Sequence, residues 1–228
     1  MLAAALIAVF PAVSMAQTTR VGHMPDNSPY EDFKIGQTFS VLAGRLSVGA
    51  DPAGVAPKSS AMGSVRYDIG VGGPASLFAR YLFASSERVV LQPSNPAPTR
   101  RAGEVSTTTH LLDMGFDISL TGRKTWHHLM PSINTGIGLA GDFASTDVGG
   151  YRFGTRFAFT YGGSLRILPP HFPQLRVDVT NALWKFQYPD RYFVKAADST
   201  SVLTLVRHKS GWRGNWAMSA GVSIPVFR

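Results

Sequence analysis

From Leu111 to Thr121 the apolar side chains occupy every second position: Leu112, Met114, Phe116, Ile118 and Leu120 alternate with Asp113, Gly115, Asp117 and Ser119. A strand sends such a set to one face, whereas a helix would scatter it, so this period of two predicts a strand of bilayer-spanning length. The pattern recurs from Tyr151 to Leu168, where Phe153, Phe157, Phe159, Tyr161, Leu165 and Ile167 oppose Arg152, Gly154, Arg156, Thr160, Ser164 and Arg166. It recurs from Ser64 to Val71, with Val65, Tyr67, Ile69 and Val71 against Arg66, Asp68 and Gly70, and from Leu129 to Asp142, with Ile133, Ile137 and Leu139 against Ser132, Asn134, Gly136 and Gly138. Together with Gln37 to Gly49, Leu77 to Ala84, Leu175 to Trp184 and Trp216 to Phe227 these make eight predicted strands. In the first of them Phe39, Val41 and Ala43 share one parity while Leu46 and Val48 take the other, which predicts a bulge near Gly44 or Arg45.

The connections alternate in length. Those around Gly72-Gly73-Pro74, 121–126 and 169–173 are short; those at 50–61, 85–105, 142–151 and 188–214 are long and rich in Pro, Ser, Asp and Arg. Short turns at one end and long loops at the other are expected of a bacterial membrane barrel, with both termini on the short-turn side. Val202 to Val206 is strand-like and predicts either an extension of a hairpin or an additional strand.

Which face meets lipid follows from residue size and charge type. A soluble barrel would carry Lys and Glu outside and bulky apolar groups inside, but here the polar parity is Gly, Ser, Thr and Ala with Arg and Asp. Small residues and paired charges suit a crowded lumen, and Phe, Ile, Leu and Val suit lipid. No segment approaches the 18 or so consecutive apolar residues of a spanning helix. Lipid cannot satisfy free backbone groups, so the strands must close on themselves. The fold class expected is therefore all-β, an antiparallel up-and-down transmembrane β-barrel of about eight strands over residues 35–228. Its polar parity gathers Arg66, Arg80, Arg152, Arg156, Arg166 and Arg176 with Asp68, Asp113, Asp117 and Asp178, a lumenal charge network of six cations and four anions. The chain has no cysteine, so neither a disulfide nor a thiolate metal site is available, and no cofactor is expected.

Residues 1–16, MLAAALIAVFPAVSMA, form an apolar run ending in Ser14-Met15-Ala16, with small residues where a signal peptidase reads. Residues 17–34 are polar and read as an irregular lead-in. The formal charge of +8 then belongs to the mature chain. An exported chain of this kind meets anionic lipid before nucleic acid, which is not an expected partner.

The signal-like start, the alternation, the loop asymmetry and the ending Gly221-Val222-Ser223-Ile224-Pro225-Val226-Phe227-Arg228 resemble the small outer-membrane β-barrel proteins, the OmpA- and OmpX-like eight-stranded group. The resemblance implies residence in the cell outer membrane and insertion by the barrel-assembly machinery, which recognises a terminal aromatic residue in such proteins. Here Phe227 is penultimate and out of step with Met218, Val222, Ile224 and Val226. A monomer is expected. The group includes structural, adhesive, enzymatic and channel proteins, so the resemblance implies location more than activity.

No catalytic constellation emerges. His208-Lys209-Ser210 places a histidine before a serine, as in the lipid A deacylases of this architecture, but no acid follows Ser210, and a nucleophile needs an oriented base. His127 and His128 would point to opposite faces of a strand and share no metal ion. Trp126, Trp184, Trp212 and Trp216, with Tyr151, Tyr188 and Tyr192, lie near predicted strand ends and are expected in interfacial girdles. Arg100, Arg101, Arg191, Lys195, Arg207, Lys209 and Arg213 fall in long outer connections, where two readings stand side by side: contacts to the phosphates of lipopolysaccharide, or ordinary solvated loop charge. The expected role is structural or narrowly transporting within the envelope, with a lipid-modifying enzyme and a surface adhesin as alternatives. If the opening segment is a signal peptide, mass spectrometry of the exported protein should find its N-terminus at Gln17; an intact Met1 on the inserted protein would contradict this.

Overall fold

A computed structural model describes residues 28–33, 36–169 and 173–227, so the expected signal peptide and most of the lead-in lie outside the described residues. Eight long strands form the wall: β1 (Gln37–Ser47), β2 (Ser60–Gly72), β3 (Ala75–Leu91), β4 (Arg101–Ser119), β5 (Leu129–Gly141), β6 (Arg156–Ile167), β7 (Gln174–Gln187) and β8 (Ser210–Phe227). Each pairs antiparallel with its sequence neighbours, and β8 pairs with β1 from Trp216↔Ser47 to Phe227↔Gln37. The sheet thus closes without a free edge along the barrel wall, the condition for standing in a medium that offers no hydrogen bonds.

Four local readings change. The bulge expected near Gly44 is absent: the β1–β8 register runs unbroken from Ser47 to Thr38 and slips only between Pro225 and Phe227. Gly44 instead permits close approach, since a Cβ there would lie 1.9 Å from the carbonyl oxygen of Met218. Leu46 takes the other parity because it points inward, where it is buried. Secondly, much of the expected loop 85–105 is strand, for β3 and β4 run for 17 and 19 residues and stay in register up to Val90↔Gly103, slipping only before the last pair, Leu91↔Arg101. Apolar alternation fades after Ala84 because the hairpin there has passed the apolar belt, while cross-strand pairs such as Ser85↔Thr108 and Ser86↔Thr107 continue. Thirdly, Val202 to Val206 forms no strand. In the lead-in, by contrast, Tyr30–Asp32 pairs with Lys124–Trp126, adding a short ribbon at the short-turn end. A two-residue turn joins Trp126 to Leu129 with His127 and His128 both left-handed, at φ 47 and 62.

The wall is apolar outside, and its inner face is polar towards the short-turn end. Phe116, Ile118, Ile137, Phe157 and Phe159 are exposed on the outer face, whereas Asp113, Asp117, Ser132 and Thr160 are buried on the inner one. The outer belt is therefore the surface that lipid would cover. At the centre of such a belt an arginine costs about 2–4 kcal/mol. Phe157→Arg should thus reduce the yield of compact, heat-modifiable barrel on refolding into detergent or lipid. Thr160→Ser, which keeps the inner hydroxyl that bonds Asp113, should leave that yield unchanged. Equal tolerance of the two substitutions would contradict the assigned faces.

Candidate functional site

The interior has two layers. Towards the short-turn end, Arg66, Arg80, Arg166 and Arg176 meet Asp68, Asp113, Asp117 and Asp178, all of them buried. Asp68 is the hub. Its Oδ1 accepts from Arg66 Nε at 3.0 Å and Nη2 at 2.9 Å, with Arg166 Nη2 at 3.3 Å, and its Oδ2 accepts from Arg176 Nη1 at 2.9 Å. Arg176 Nε donates to Asp178 at 2.6 Å, and Arg66 reaches Asp117 at 3.2 Å and Asp178 at 3.4 Å. Arg80 forms a separate two-point pair with Asp113, at 3.0 and 2.7 Å, and its third nitrogen donates to Thr180. The Phe78 ring lies 4.2 Å from the Arg66 guanidinium carbon, covering a cation that makes no bond in that direction. Four cations thus balance four anions, not six against four. Arg152 is exposed in the loop before β6, and Arg156, at the outer end of β6, bonds Phe153 O and Gln187. For Arg152 the change comes from Gly154, at φ +61, which breaks the alternation before the strand starts; Arg156 keeps the inward parity but stands at the strand's outer end.

Above this layer the lumen is apolar. Leu46, Leu82, Leu111, Trp184 and Phe186 point inward from the strands, and Val55, Tyr151, Phe153, Tyr188, Tyr192 and Leu203 descend from three long loops to pack on them. Trp184, Tyr151, Tyr188 and Tyr192 are therefore plug residues rather than girdle residues; Trp126, Trp212 and Trp216 remain outside and exposed. Tyr188 stacks between Tyr151 and Tyr192, with ring centroids 6.0 and 6.2 Å away. Asp51 anchors the plug by accepting from Ala53 N at 3.0 Å, Ala56 N at 2.5 Å and the Tyr188 hydroxyl. Burial pushes the Tyr188 phenol well above its ordinary range, and the bond to Asp51 adds to that. This plug was overlooked in the sequence, although inward-parity apolar residues beside outward ones, as in Tyr81-Leu82-Phe83 and Leu111-Leu112, signal it.

The outer loops are tied together. Arg100 donates to the carbonyls of Thr200 and Ser201, at 3.2 Å each, Arg88 pairs with Asp147 at 2.6 Å, and Lys58 with Glu104 at 2.8 Å. Ala97 N donates to Asp198 at 2.7 Å; that bond and others from Thr200 hold the Asp198 carboxyl at about 2. Of the basic residues singled out for phosphate contact, Arg100 is thus used by the scaffold, Arg101 pairs with Glu104, and Lys209 pairs with Asp190. Arg191, Lys195, Arg207 and Arg213 have no carboxylate within 4 Å among the described residues. His208 and Ser210 share no hydrogen bond among those residues, and no metal-binding group of three or more His, Cys, Asp or Glu occurs among them.

No family model and no curated protein matches the chain. Among solved structures it is similar to Ail, the attachment invasion locus protein of Yersinia pestis. A crystal structure of Ail with the heparin analogue sucrose octasulfate gives 13% identity over 83% of this chain and 99% of that one, with a TM-score of 0.38. Its backbone structure in a phospholipid bilayer nanodisc gives 12% identity over the same shares, with a TM-score of 0.41. At these values the eight-stranded architecture stands on the chain's own ladder.

Breaking a buried ion pair from one side leaves an uncompensated charge and costs about 3–5 kcal/mol. Asp68→Ala removes a carboxylate shared by three guanidinium groups and leaves Arg166 without one, whereas Asp117→Ala removes one long ion pair and the bond from Ser132. The heat-modifiability midpoint should therefore fall for both variants and fall further for Asp68→Ala. Equal midpoints for the two variants would remove Asp68 as hub.

Proposed function

We propose that the protein resides in the outer membrane as a sealed barrel, serving the envelope as a structural element whose exposed work is done by its outer loops. The observation that carries this is the doubly filled lumen, an ionic layer beneath an aromatic plug, in a barrel whose eight strands leave room for little beyond side chains. Narrow passive transport is the less favoured form of the reading, because a solute would have to displace both layers. Surface binding is a second reading with its own support: bonds such as Arg100 to Ser201 and Ala97 to Asp198 hold the outer loops as a fixed platform, which lowers the ordering cost of binding. Lipopolysaccharide is the partner we propose for the unpaired loop cations, with the barrel a monomer inserted by the barrel-assembly machinery.

In planar bilayers the wild-type protein should be close to silent. A large, steady, porin-sized conductance would overturn the sealed barrel. Conductance appearing only after Tyr188→Ala and Asp51→Ala are combined would identify the aromatic plug as the seal.

A further inference from the structure

We propose that a groove on the outer face of β2 to β6 binds an acyl chain of a glycerophospholipid from the periplasmic leaflet. The proposal rests on the outer-membrane reading and gives one lipid a fixed place on the barrel. The groove has a volume of about 630 Å³. Its walls are the outward side chains of Tyr67, Met114, Phe116, Ile137 and Phe159, and the space between them is left by two small outward residues, Ala79 and Thr135. Ala79 stands in register between Tyr67 and Met114, and Thr135 between Phe116 and Tyr161, so each opens a gap in a row that is otherwise bulky. The two hydroxyls on the walls are turned to the protein: that of Thr135 donates to the Thr160 carbonyl at 3.2 Å, and that of Tyr67 donates to Gln37. What is left facing outwards is hydrocarbon, continuous with the belt that lipid covers.

The level of the groove selects the lipid. Phe78, Gly115 and Gly136, which form its floor, lie in one registered row with Asp68, the hub of the ionic layer. The groove is therefore outside that layer, in the half of the belt next to the short turns, which face the periplasm in a bacterial barrel. Lipid at that level is glycerophospholipid, whereas lipid A belongs to the opposite leaflet. The turn beneath the groove exposes Arg123 and Lys124 at the height of a phosphate headgroup. Asp32 stands across the ribbon from Lys124, while Arg123 pairs with no carboxylate among the described residues. Hydrocarbon gains no hydrophobic energy by exchanging lipid for protein, so a preferred site has to come from packing. A chain in the groove is touched on three sides, and one against the convex belt on a single side. A second copy of the barrel fits worse, because a two-fold contact would set the groove against itself.

The test is native mass spectrometry of the full-length barrel in detergent, titrated with palmitoyl-oleoyl phosphatidylglycerol, with lipid A and with soluble glycerol 3-phosphate. Wild type should keep one phosphatidylglycerol after activation has stripped the micelle, in preference to the other two. A79F, which fills the groove, should lower that occupancy about fivefold or more, and T135L, which fills it from β5, should do the same. A220F, the same substitution at an exposed outward position of β8, should bind like wild type. Unchanged occupancy in A79F and T135L, or equal losses in A79F and A220F, would overturn the groove as the site. Preferential retention of lipid A would overturn the periplasmic leaflet as the source, and glycerol 3-phosphate binding as tightly as the lipid would overturn the acyl chain as what is recognised. A dimer that A79F dissolves would overturn the lipid in favour of a second copy. Heat-modifiability on the same samples reports the barrel separately. A wild type with no compact form would sink the outer-membrane reading, whereas a compact wild type that keeps no phospholipid sinks the groove alone.

Discussion

Hydrocarbon offers a backbone no hydrogen-bond partner, and nearly everything in this molecule follows from that constraint. It requires the pairing of β8 with β1 that closes the wall. Closure at eight strands then fixes a narrow interior, which must be filled by whatever the inner parity supplies. Outward positions need only be apolar, but inward ones must fit and satisfy one another. The inner surface therefore carries the specific information, down to the glycines at which neighbouring strands almost touch. At Gly115 a Cβ would stand 2.0 Å from the Thr135 carbonyl oxygen, and at Gly138 one would stand 2.2 Å from that of Leu112.

The two layers of filling solve the same problem differently. In the ionic layer each guanidinium must find carboxylates in several directions, and the planar fork of arginine allows Arg66 to serve Asp68, Asp117 and Asp178 together. The aromatic layer is held by shape: the Tyr188 hydroxyl bonds Asp51, while the buried Tyr151 and Tyr192 hydroxyls and the Trp184 indole N–H have no hydrogen-bond partner among the described residues. The loops that supply the plug are also the ones tied together above the belt, so sealing and platform are parts of one assembly.

Alternation made the wall legible in the sequence, since a period of two survives any tertiary rearrangement that keeps strands as strands. Asp113, Asp117 and Phe116 could be assigned to their faces from spacing alone. What spacing could not supply was the depth at which the lumen changes character. Trp184 and Tyr188 read as interfacial aromatics because they lie at a strand end, although Trp184 shares the inward parity of Arg176 and Asp178; Tyr188, beyond the last residue of the strand, carries no such parity signal. Arg152 falls outside the lumen because the β6 alternation ends at Gly154, a left-handed residue, and Arg156 because its inward parity places it at the outer end of the strand, above the ionic layer. The hairpin beyond Ala84 was missed for a related reason: apolar periodicity reports contact with lipid, not strand pairing.

The arrangement of the ionic layer has a bearing on how the chain could enter a membrane at all. Arg66 and Asp68 are two residues apart on β2, Arg176 and Asp178 two apart on β7, and Arg80 lies directly across from Asp113 in the β3–β4 hairpin. Each of these units is electrically neutral by itself, before any contact across the barrel has formed. The exceptions are Asp117 on β4 and Arg166 on β6, with β5 between them, and Arg166 finds its contact on Asp68 from the far side of the lumen. A nascent sheet advancing hairpin by hairpin would then carry little net charge into the bilayer at any stage. The last two opposite charges would be neutralised only as the cylinder shuts, tying completion of the circuit to the burial of its final cation.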